Sequence, residues 1–505
     1  MDYKKFGFDS TRLQKRETML AEGAILYPYS FDNCEEINTP VQKAEEQESQ
    51  NEEIQVECKV AGRIWAIRKM GRTMFFDLRD DTGKIQLYIN NKPFSKQEFK
   101  HIAQLDMGDI IGVEGSIFRT RMGELSIKVQ KLTILSKTVV HIPMGKETED
   151  KVFYRSADTE TKYRERYLHW MLDQEDREKI KTRFKIYSAV RRNMENAGFL
   201  EVTTPTIEFV YGGAEARPFK TSIWALDKKE AFLSISPELY LKRYIVAGFN
   251  KVFTICSNFR NEGIDATHNP EFINIEWYEA FTDYNFQMER VENLVSDVCK
   301  EITGSTKITY QGTDLDFTAP WKRLTMLDAI KEFAGIDADK MSAEEIQAEL
   351  DKHNIEHAPS ISWGVGVVEL FENLCEDKLV QPTFILDHPK EISPLTKVKR
   401  GDSRLVERFE PFVHGFELAN AYSELNDPVV QLERFVKQRE IQKQTQEKDQ
   451  DWEDNPLDTD FIKAIGCGMP PTGGVGIGLE RLVMLFTDTP IMRDIVPFPM
   501  VKPKN

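Results

Sequence analysis

Phe259 to Tyr284 reads FRNEGIDATHNPEFINIEWYEAFTDY, and the rest of the chain is organised around it. Arg260 and Glu262 follow the apolar run Val252, Phe253 and Ile255, so a strand delivers them. Gly263, Asp265, His268, Asn269 and Pro270 make a turn, and Phe272, Ile273, Ile275 and Trp277 carry an alternating pattern back. An antiparallel hairpin fits, with a guanidinium, an imidazole and several carboxylates crowded along one face. Arg260 suits bidentate contact with phosphate oxygens, and His268 suits a more distal phosphate. Glu262 and Glu276 suit an ammonium or an adenine amino group. Taken alone, charges in a hairpin are more often a solvated edge.

A second stretch, GVGIGLER from Gly474 to Arg481, alternates glycine with small apolar residues before the amphipathic run LVMLF. It matches neither the dinucleotide nor the P-loop fingerprint. Together the two stretches resemble motifs 2 and 3 of the class II aminoacyl-tRNA synthetases, and are most similar to the lysyl-tRNA synthetase family. GFLEVTTP, Gly198 to Pro205, resembles motif 1. The resemblance runs from about residue 10 to the C-terminus, and it implies an α+β chain: an OB-fold β-barrel followed by the class II catalytic domain, an antiparallel sheet flanked by helices.

Composition agrees with an ordinary globular protein: 40% hydrophobic and 30% charged residues. No stretch approaches the roughly 20 apolar residues of a membrane span, and the N-terminus lacks the apolar core of a signal peptide. Six scattered cysteines without a CxxC pair suggest neither zinc nor disulfides, and a cytoplasmic location is the simple inference. The net charge of −16 argues against a polyanion partner, yet Glu57 to Ser136 carries 14 Lys/Arg against 9 Asp/Glu. That segment is basic within an acidic protein.

Residues 1–55 begin with an amphipathic helix, Thr11 to Glu22, and end in the polar run QKAEEQESQNEEIQ, expected to be a loop. Residues 56–138 contain five short alternating runs separated by turn signals, the pattern of a small closed barrel, an OB-fold by preference. Such barrels stack bases on exposed aromatics while basic groups follow phosphates. Of Phe75 and Phe76, one faces the core and the other is free to stack. The resemblance assigns this domain to a U-rich anticodon, with Phe75 stacking, Arg68 and Gln86 contacting bases and Glu124 completing the site. Residues 139–172 read as a linker containing Pro143 and Gly145; its segment Asp158 to Tyr167 is either a tRNA-facing surface or a helix lined with ion pairs.

The catalytic domain spans 173–505, with a helical insertion at about 325–380. Arg177 to Ala197 repeats apolar residues at helical spacing, a core helix to which the resemblance adds a homodimer interface through motif 1. Glu238 opens a helix, where the dipole favours a carboxylate; the resemblance has it hold the α-ammonium of lysine, with Gly213 and Glu276 in the same pocket. In ERFEPFVHGFELANAYSELND, a turn near Gly415 brings Glu417 beside Glu410, and two such carboxylates facing a triphosphate need Mg²⁺ between them. The resemblance implies up to about three magnesium ions per subunit, one bridged by this pair. Asn420, Tyr422 and Glu424 follow at spacing two. A pocket for a lysine side chain needs an acid at its floor, supplied by Glu424, and an apolar sleeve, supplied by Tyr278 and Tyr422.

The implied activity is charging of tRNA(Lys) with L-lysine at the expense of ATP. Arg260 and Arg481 are the catalytic arginines, and Phe272 and Arg481 enclose adenine. Asn261, Glu262, His268, Asn269, Glu417, Leu418 and Gly478 complete the nucleotide site. The sequence departs from the family pattern at Phe416, Ala421, Trp224 and Trp277, changes expected to ring the active site. A protein-lysylating relative, an amino-acid sensor, and an aspartate or asparagine ligase are the competing classes. The barrel, the three arginine and glutamate positions Arg260, Glu410 and Arg481, and the pair Glu238 and Glu424 speak against each in turn.

Overall fold

The computed structural model describes residues 2–144, 146–148, 151–153, 159–446 and 457–503. The backbone forms two compact units, one ending at Leu172 and the other beginning at Asp173. Gly145 and Asp158 of the linker segment lie outside the described residues; Thr159–Arg164 and Arg166–Leu172 are short helices, the first carrying an Arg164–Glu160 ion pair at 2.7 Å.

In the first unit, strands β1 (Glu57–Met70), β2 (Thr73–Arg79), β3 (Lys84–Asn90), β4 (Ile110–Arg119) and β5 (Leu125–Ser136) close into a barrel in the order β1-β2-β3-β5-β4. Period-two alternation drives closure: Met74, Phe76 and Leu78 are buried while Thr73, Phe75 and Asp77 face outward. Helix α1 (Ser10–Ala21) starts on an Asp9 cap. The polar run expected as a loop is instead mostly helical, forming the bulk of α2 (Asn38–Ser49). Packing explains the difference. Pro40 and Ala44 are buried, Val41 lies against the barrel core, and the β2–β3 turn grips the helix start through Asp80, which accepts the Ile37 N–H at 2.7 Å. Tertiary burial outweighs the polar composition.

The second unit is built on a nine-stranded sheet. Its central strands are β6 (Lys251–Phe259), β7 (Glu271–Ala280), β8 (Thr383–Leu386), β9 (Arg408–Val413), β10 (Ala419–Ser423) and β11 (Thr472–Gly478), in the order β8-β9-β10-β11-β7-β6, each pair antiparallel. Helices α3 (Gln174–Asn196), α4 (Glu238–Val246) and α5 (Tyr284–Thr303) pack on it, and α6 (Met326–Ala334), α7 (Ala343–Lys352) and α8 (Trp363–Leu374) form the inserted helical cluster with its own core. Strand β11 runs directly into α9 (Leu479–Phe486).

Alternation gives this sheet two faces of opposite chemistry. Ile275 and Trp277 of β7, Val475 and Ile477 of β11, and Ala419 and Ala421 of β10 are buried together against α3, α5 and α9. The other face carries Glu276 and Tyr278, Gly474 and Gly476, and Asn420 and Tyr422, aligned in two cross-strand rows. At the junction of β11 and α9, the buried Glu480 carboxylate takes Arg183 Nη2 at 2.8 Å and the Ile273 N–H at 3.0 Å. It thereby ties α9 to α3 and β7. Removing it strands a buried guanidinium, so Glu480→Ala is expected to lower unfolding free energy by about 3–5 kcal/mol, measured by urea denaturation.

Candidate active site

The polar face of the sheet floors a cleft of ≈ 750 Å³. The alternate glycines explain its depth. A Cβ on Gly476 would stand 3.2 Å from Glu276 Cγ, and one on Gly474 would stand 2.0 Å from Glu424 Oε1 and 2.5 Å from Tyr278 Cε1. Any side chain at 474 would collide with Glu424 and Tyr278.

The structure brings nearly all the expected residues to this cleft. Gly213, Glu238, Arg260, Glu262, His268, Asn269, Phe272, Glu276, Tyr278, Glu410, Glu417, Leu418, Asn420, Tyr422, Gly478 and Arg481 line it. Asn261 does not; it is exposed, with its N–H donated to Arg217 O at 2.7 Å. Glu424 is fully buried just beyond the lining. The family departures lie elsewhere than expected. Trp277 and Ala421 point to the core, where Trp277 Nε1 donates to Gln287 Oε1 at 2.9 Å. Phe416 packs against that core, and Trp224 is 80% exposed outside the cleft. Strand alternation turns Trp277 and Ala421 away although their sequence neighbours face in.

The cleft has an acidic end and a cationic end. At the acidic end, Glu276 Oε1 accepts from Asn274 Nδ2 at 2.7 Å and from Ser236 Oγ at 3.2 Å. Burial first, then the charge of Glu238, pushes its carboxyl up to about 8. Lys242 Nζ donates to Glu238 Oε1 at 2.6 Å and lies 2.5 Å from Glu424 Oε2. At the cationic end, the Arg260 guanidinium stands 5.1 Å from the centroid of the Phe272 ring, and its buried Nε has no hydrogen-bond partner. Arg481 donates to the Glu417 carbonyl, with its side-chain carboxylate 3.3 Å away, and Arg408 pairs with Glu410. His268 is held in the hairpin turn, Nδ1 2.8 Å from Asp265 Oδ2.

On the barrel, Phe75 faces outward with its ring 5.5 Å from Tyr88, which in turn lies 5.8 Å from Phe118. Gln86 Nε2 donates to Glu124 Oε2 at 2.9 Å, and Arg68 Nη2 donates to Asp77 Oδ1 at 2.9 Å. Register sets Arg68 opposite Phe75 and Phe75 opposite Tyr88, so these groups form one aromatic and polar strip.

Residues 158–502 match the family model described as tRNA synthetases class II (D, K and N), and residues 58–135 match that of the OB-fold nucleic acid binding domain. The chain belongs to the class II tRNA synthetases. It is 43% identical over 500 residues to a lysine--tRNA ligase of Methanoculleus marisnigri, covering 98% of this chain and 95% of that one. A Clostridium perfringens lysine--tRNA ligase is 46% identical over 89% of this chain and 88% of its own, and one from Thermotoga maritima is 42% identical over 99% and 96%.

Synthetases of this family use ATP and typically Mg²⁺. Among the described residues no group of three or more His, Cys, Asp or Glu is arranged to hold a metal. The donor set suits Mg²⁺ nonetheless, because that ion takes one or two carboxylates and completes its shell with phosphates and water. Glu410 and Glu417 meet that requirement, the charge of Glu410 ranking next to burial in raising Glu417.

Sequence reasoning missed Lys242, Arg408, Tyr88 and Phe118. Lys242 and Glu238 are four apart on α4, a spacing that places both on one helix face and was the available signal.

Folding lets Glu276 bind a proton between its ordinary 4.5 and about 8. This contribution to stability is full below pH 4.5 and is lost as pH rises to 8. Glu276→Gln is expected to flatten that decline in urea-unfolding free energy measured across this range, leaving the parts due to Glu424, Glu238, Glu417, Glu208 and Glu376, which shift in the same direction.

Proposed function

We propose that this synthetase activates L-lysine with ATP, releasing pyrophosphate, and then transfers lysine to the 3′ end of tRNA(Lys). The observation that carries the reading is Glu424: a carboxylate with no exposure, set under Gly474 beside Tyr278, whose Oε1 has no hydrogen-bond partner. Lys242 reaches only Oε2; a buried carboxylate oxygen without a donor is costly, and a substrate ammonium supplies the donor that Oε1 lacks. Tyr278 and Tyr422 flank Gly474 on the neighbouring strands and sheathe the methylenes. The activity is the one named in its relatives at 42–46% identity.

Glu238 and Glu276 receive the α-ammonium, with Asn420 and Gly213 shaping that end. The lysine carboxylate oxygen attacks the α-phosphorus in line, the bond to the bridging oxygen of pyrophosphate breaks, and Arg260 stabilises the charge on the transferring group. Phe272 and Arg481 enclose adenine; Arg481 and His268 anchor the phosphate tail. Asn261, Glu262, Asn269, Leu418 and Gly478 complete the nucleotide site in this reading. Glu410 and Glu417 would hold Mg²⁺, which when bound neutralises phosphate charge. In the second step the tRNA hydroxyl attacks the activated carbonyl and AMP leaves. No side-chain nucleophile is involved.

An aspartate-specific reading fails on electrostatics, because the ammonium at the deep end, Lys242, is already engaged by Glu238 and Glu424. The barrel strip of Arg68, Phe75, Gln86 and Glu124 reads the anticodon, residues 56–138 serving as the anticodon-binding domain and 173–505 as the catalytic domain. Dimerisation through α3 and motif 1 is supported by apolar side chains left exposed there, Phe184 at 52% and Leu200 at 51%. Among the described residues no helix is long and apolar enough to cross a membrane. The cysteines are all free, which suits the cytoplasm.

Amino-acid-dependent ATP–pyrophosphate exchange with each amino acid tests the reading. Exchange with lysine in the wild type, lost in Glu424→Ala, is expected; exchange with asparagine or aspartate, or with none, refutes it. Phe75→Ala removes a stack of about 1–3 kcal/mol and is expected to raise the KM for tRNA(Lys) about 5- to 150-fold in aminoacylation.

A further inference from the structure

Lys242 sits one helical turn beyond Glu238 on α4 and is fully buried. Its single ammonium touches one oxygen of each of two acids, Glu238 Oε1 at 2.6 Å and Glu424 Oε2 at 2.5 Å. Burial works against its charge, and these two carboxylates overcome that, raising its pKa above the ordinary lysine value. Among the described residues it is the cation in contact with Glu424.

The charges of the deep end are uneven. Glu238, Glu276 and Glu424 bring three carboxylates, and Lys242 brings one ammonium. Ser236 and Asn274 hydrogen-bond Glu276 as neutral partners. Tyr278 and Tyr422 stay protonated, burial pushing both well above the ordinary tyrosine range. Arg408 is occupied by Glu410. With every acid ionised, two negative charges would be left over, and burial raises the Glu276 and Glu424 carboxyls to about 8 against that outcome. A diamino acid brings two ammonium groups and neutralises them; an amino acid with a neutral side chain leaves one buried carboxylate uncompensated.

We propose that Lys242 is a positioning residue that sets amino-acid specificity: a resident ammonium that pins one oxygen of Glu238 and one of Glu424 and fixes the pocket charge so that a substrate carrying two ammonium groups completes it. The proposal rests on the assignment of Glu238 and Glu424 as receivers of the substrate's α- and ε-ammonium groups. Burial already raises the Glu424 carboxyl to about 8 with Lys242 beside it, and without that ammonium drives it further toward the neutral acid. The substrate ammonium must then expel a proton, and a neutral side chain no longer faces a stranded charge. Loss of Lys242 therefore acts on the choice and affinity of the amino acid and leaves the nucleotide end untouched.

The test is ATP–pyrophosphate exchange by the full chain with lysine and with norleucine, comparing wild type, Lys242→Met and Glu424→Gln. Methionine fills the same space without charge. In Lys242→Met the KM for lysine is expected to rise at least about tenfold and the lysine-over-norleucine ratio of kcat/KM to fall by about as much, with the KM for ATP changed by less than about twofold. A folded Lys242→Met protein that keeps both the lysine KM and the ratio within about twofold overturns the proposal. If Glu424→Gln raises the lysine KM in that case, the pocket assignment stands and only the role of Lys242 falls; if Glu424→Gln leaves it unchanged, the assignment itself falls. Should Lys242→Met fail to fold, Lys242→Ala is assayed with n-propylammonium and with 1-propanol, which match in shape and differ in charge. Recovery of the lysine KM with the ammonium alone supports the proposal, and equal recovery with both, or with neither, overturns it.

Discussion

Period-two alternation across β7, β10 and β11 is the constraint on which the second unit depends. One set of alternate residues builds a dry core against three helices, and the intervening set floors the cleft. A one-residue slip in register would exchange Trp277 for Glu276 and Val475 for Gly474 at once. Fold and site are therefore specified by the same hydrogen-bond ladder. The two glycines between Glu276 and Asn420 and between Tyr278 and Tyr422 are where the two requirements meet. Their missing side chains make a trough in an otherwise crowded surface.

Charge is sorted along that trough. Carboxylates cluster where hydroxyl, amide and ammonium groups meet them, and arginines occupy the cationic end, each of Arg408 and Arg481 engaged with a glutamate. Such pairing keeps buried charges from standing alone before substrates arrive. It also means that an anion entering that end would exchange partners with these glutamates and not create new charges in a dry site. Arg260 differs, since its guanidinium lies against the Phe272 ring instead of pairing with a glutamate; its buried Nε, like that of Arg408, has no hydrogen-bond partner.

The barrel, the hairpin and the glycine-bearing strand were legible because each rests on a short-range signal: alternation, turn residues, or glycine at every second position. Asn420, Tyr422 and Glu424 were legible for the same reason, as strand neighbours at spacing two share a face, whereas Gly213, Glu238 and most of the nucleotide set were read from the family resemblance. What the sequence hid depended on packing between distant segments. The polar run at 42–55 reads as a loop until the barrel offers Ala44, with Pro40 just ahead of it, a place to bury. Trp277 reads as a neighbour of the site because it adjoins Glu276 and Tyr278, whereas the pleat turns it away. Lys242 was overlooked because one of its two partners, Glu424, is 182 positions further along the chain.

The contact between Glu424 and Gly474 has a consequence for how this chain can diverge. The carboxylate of one residue fills the volume where the other would carry its first side-chain carbon. Substitutions at these positions therefore have a required order: residue 474 can enlarge only after residue 424 has shortened or turned aside and the Tyr278 ring has also given way. A lineage that put a side chain at 474 would have to pass first through a protein in which both neighbours had already given up that space.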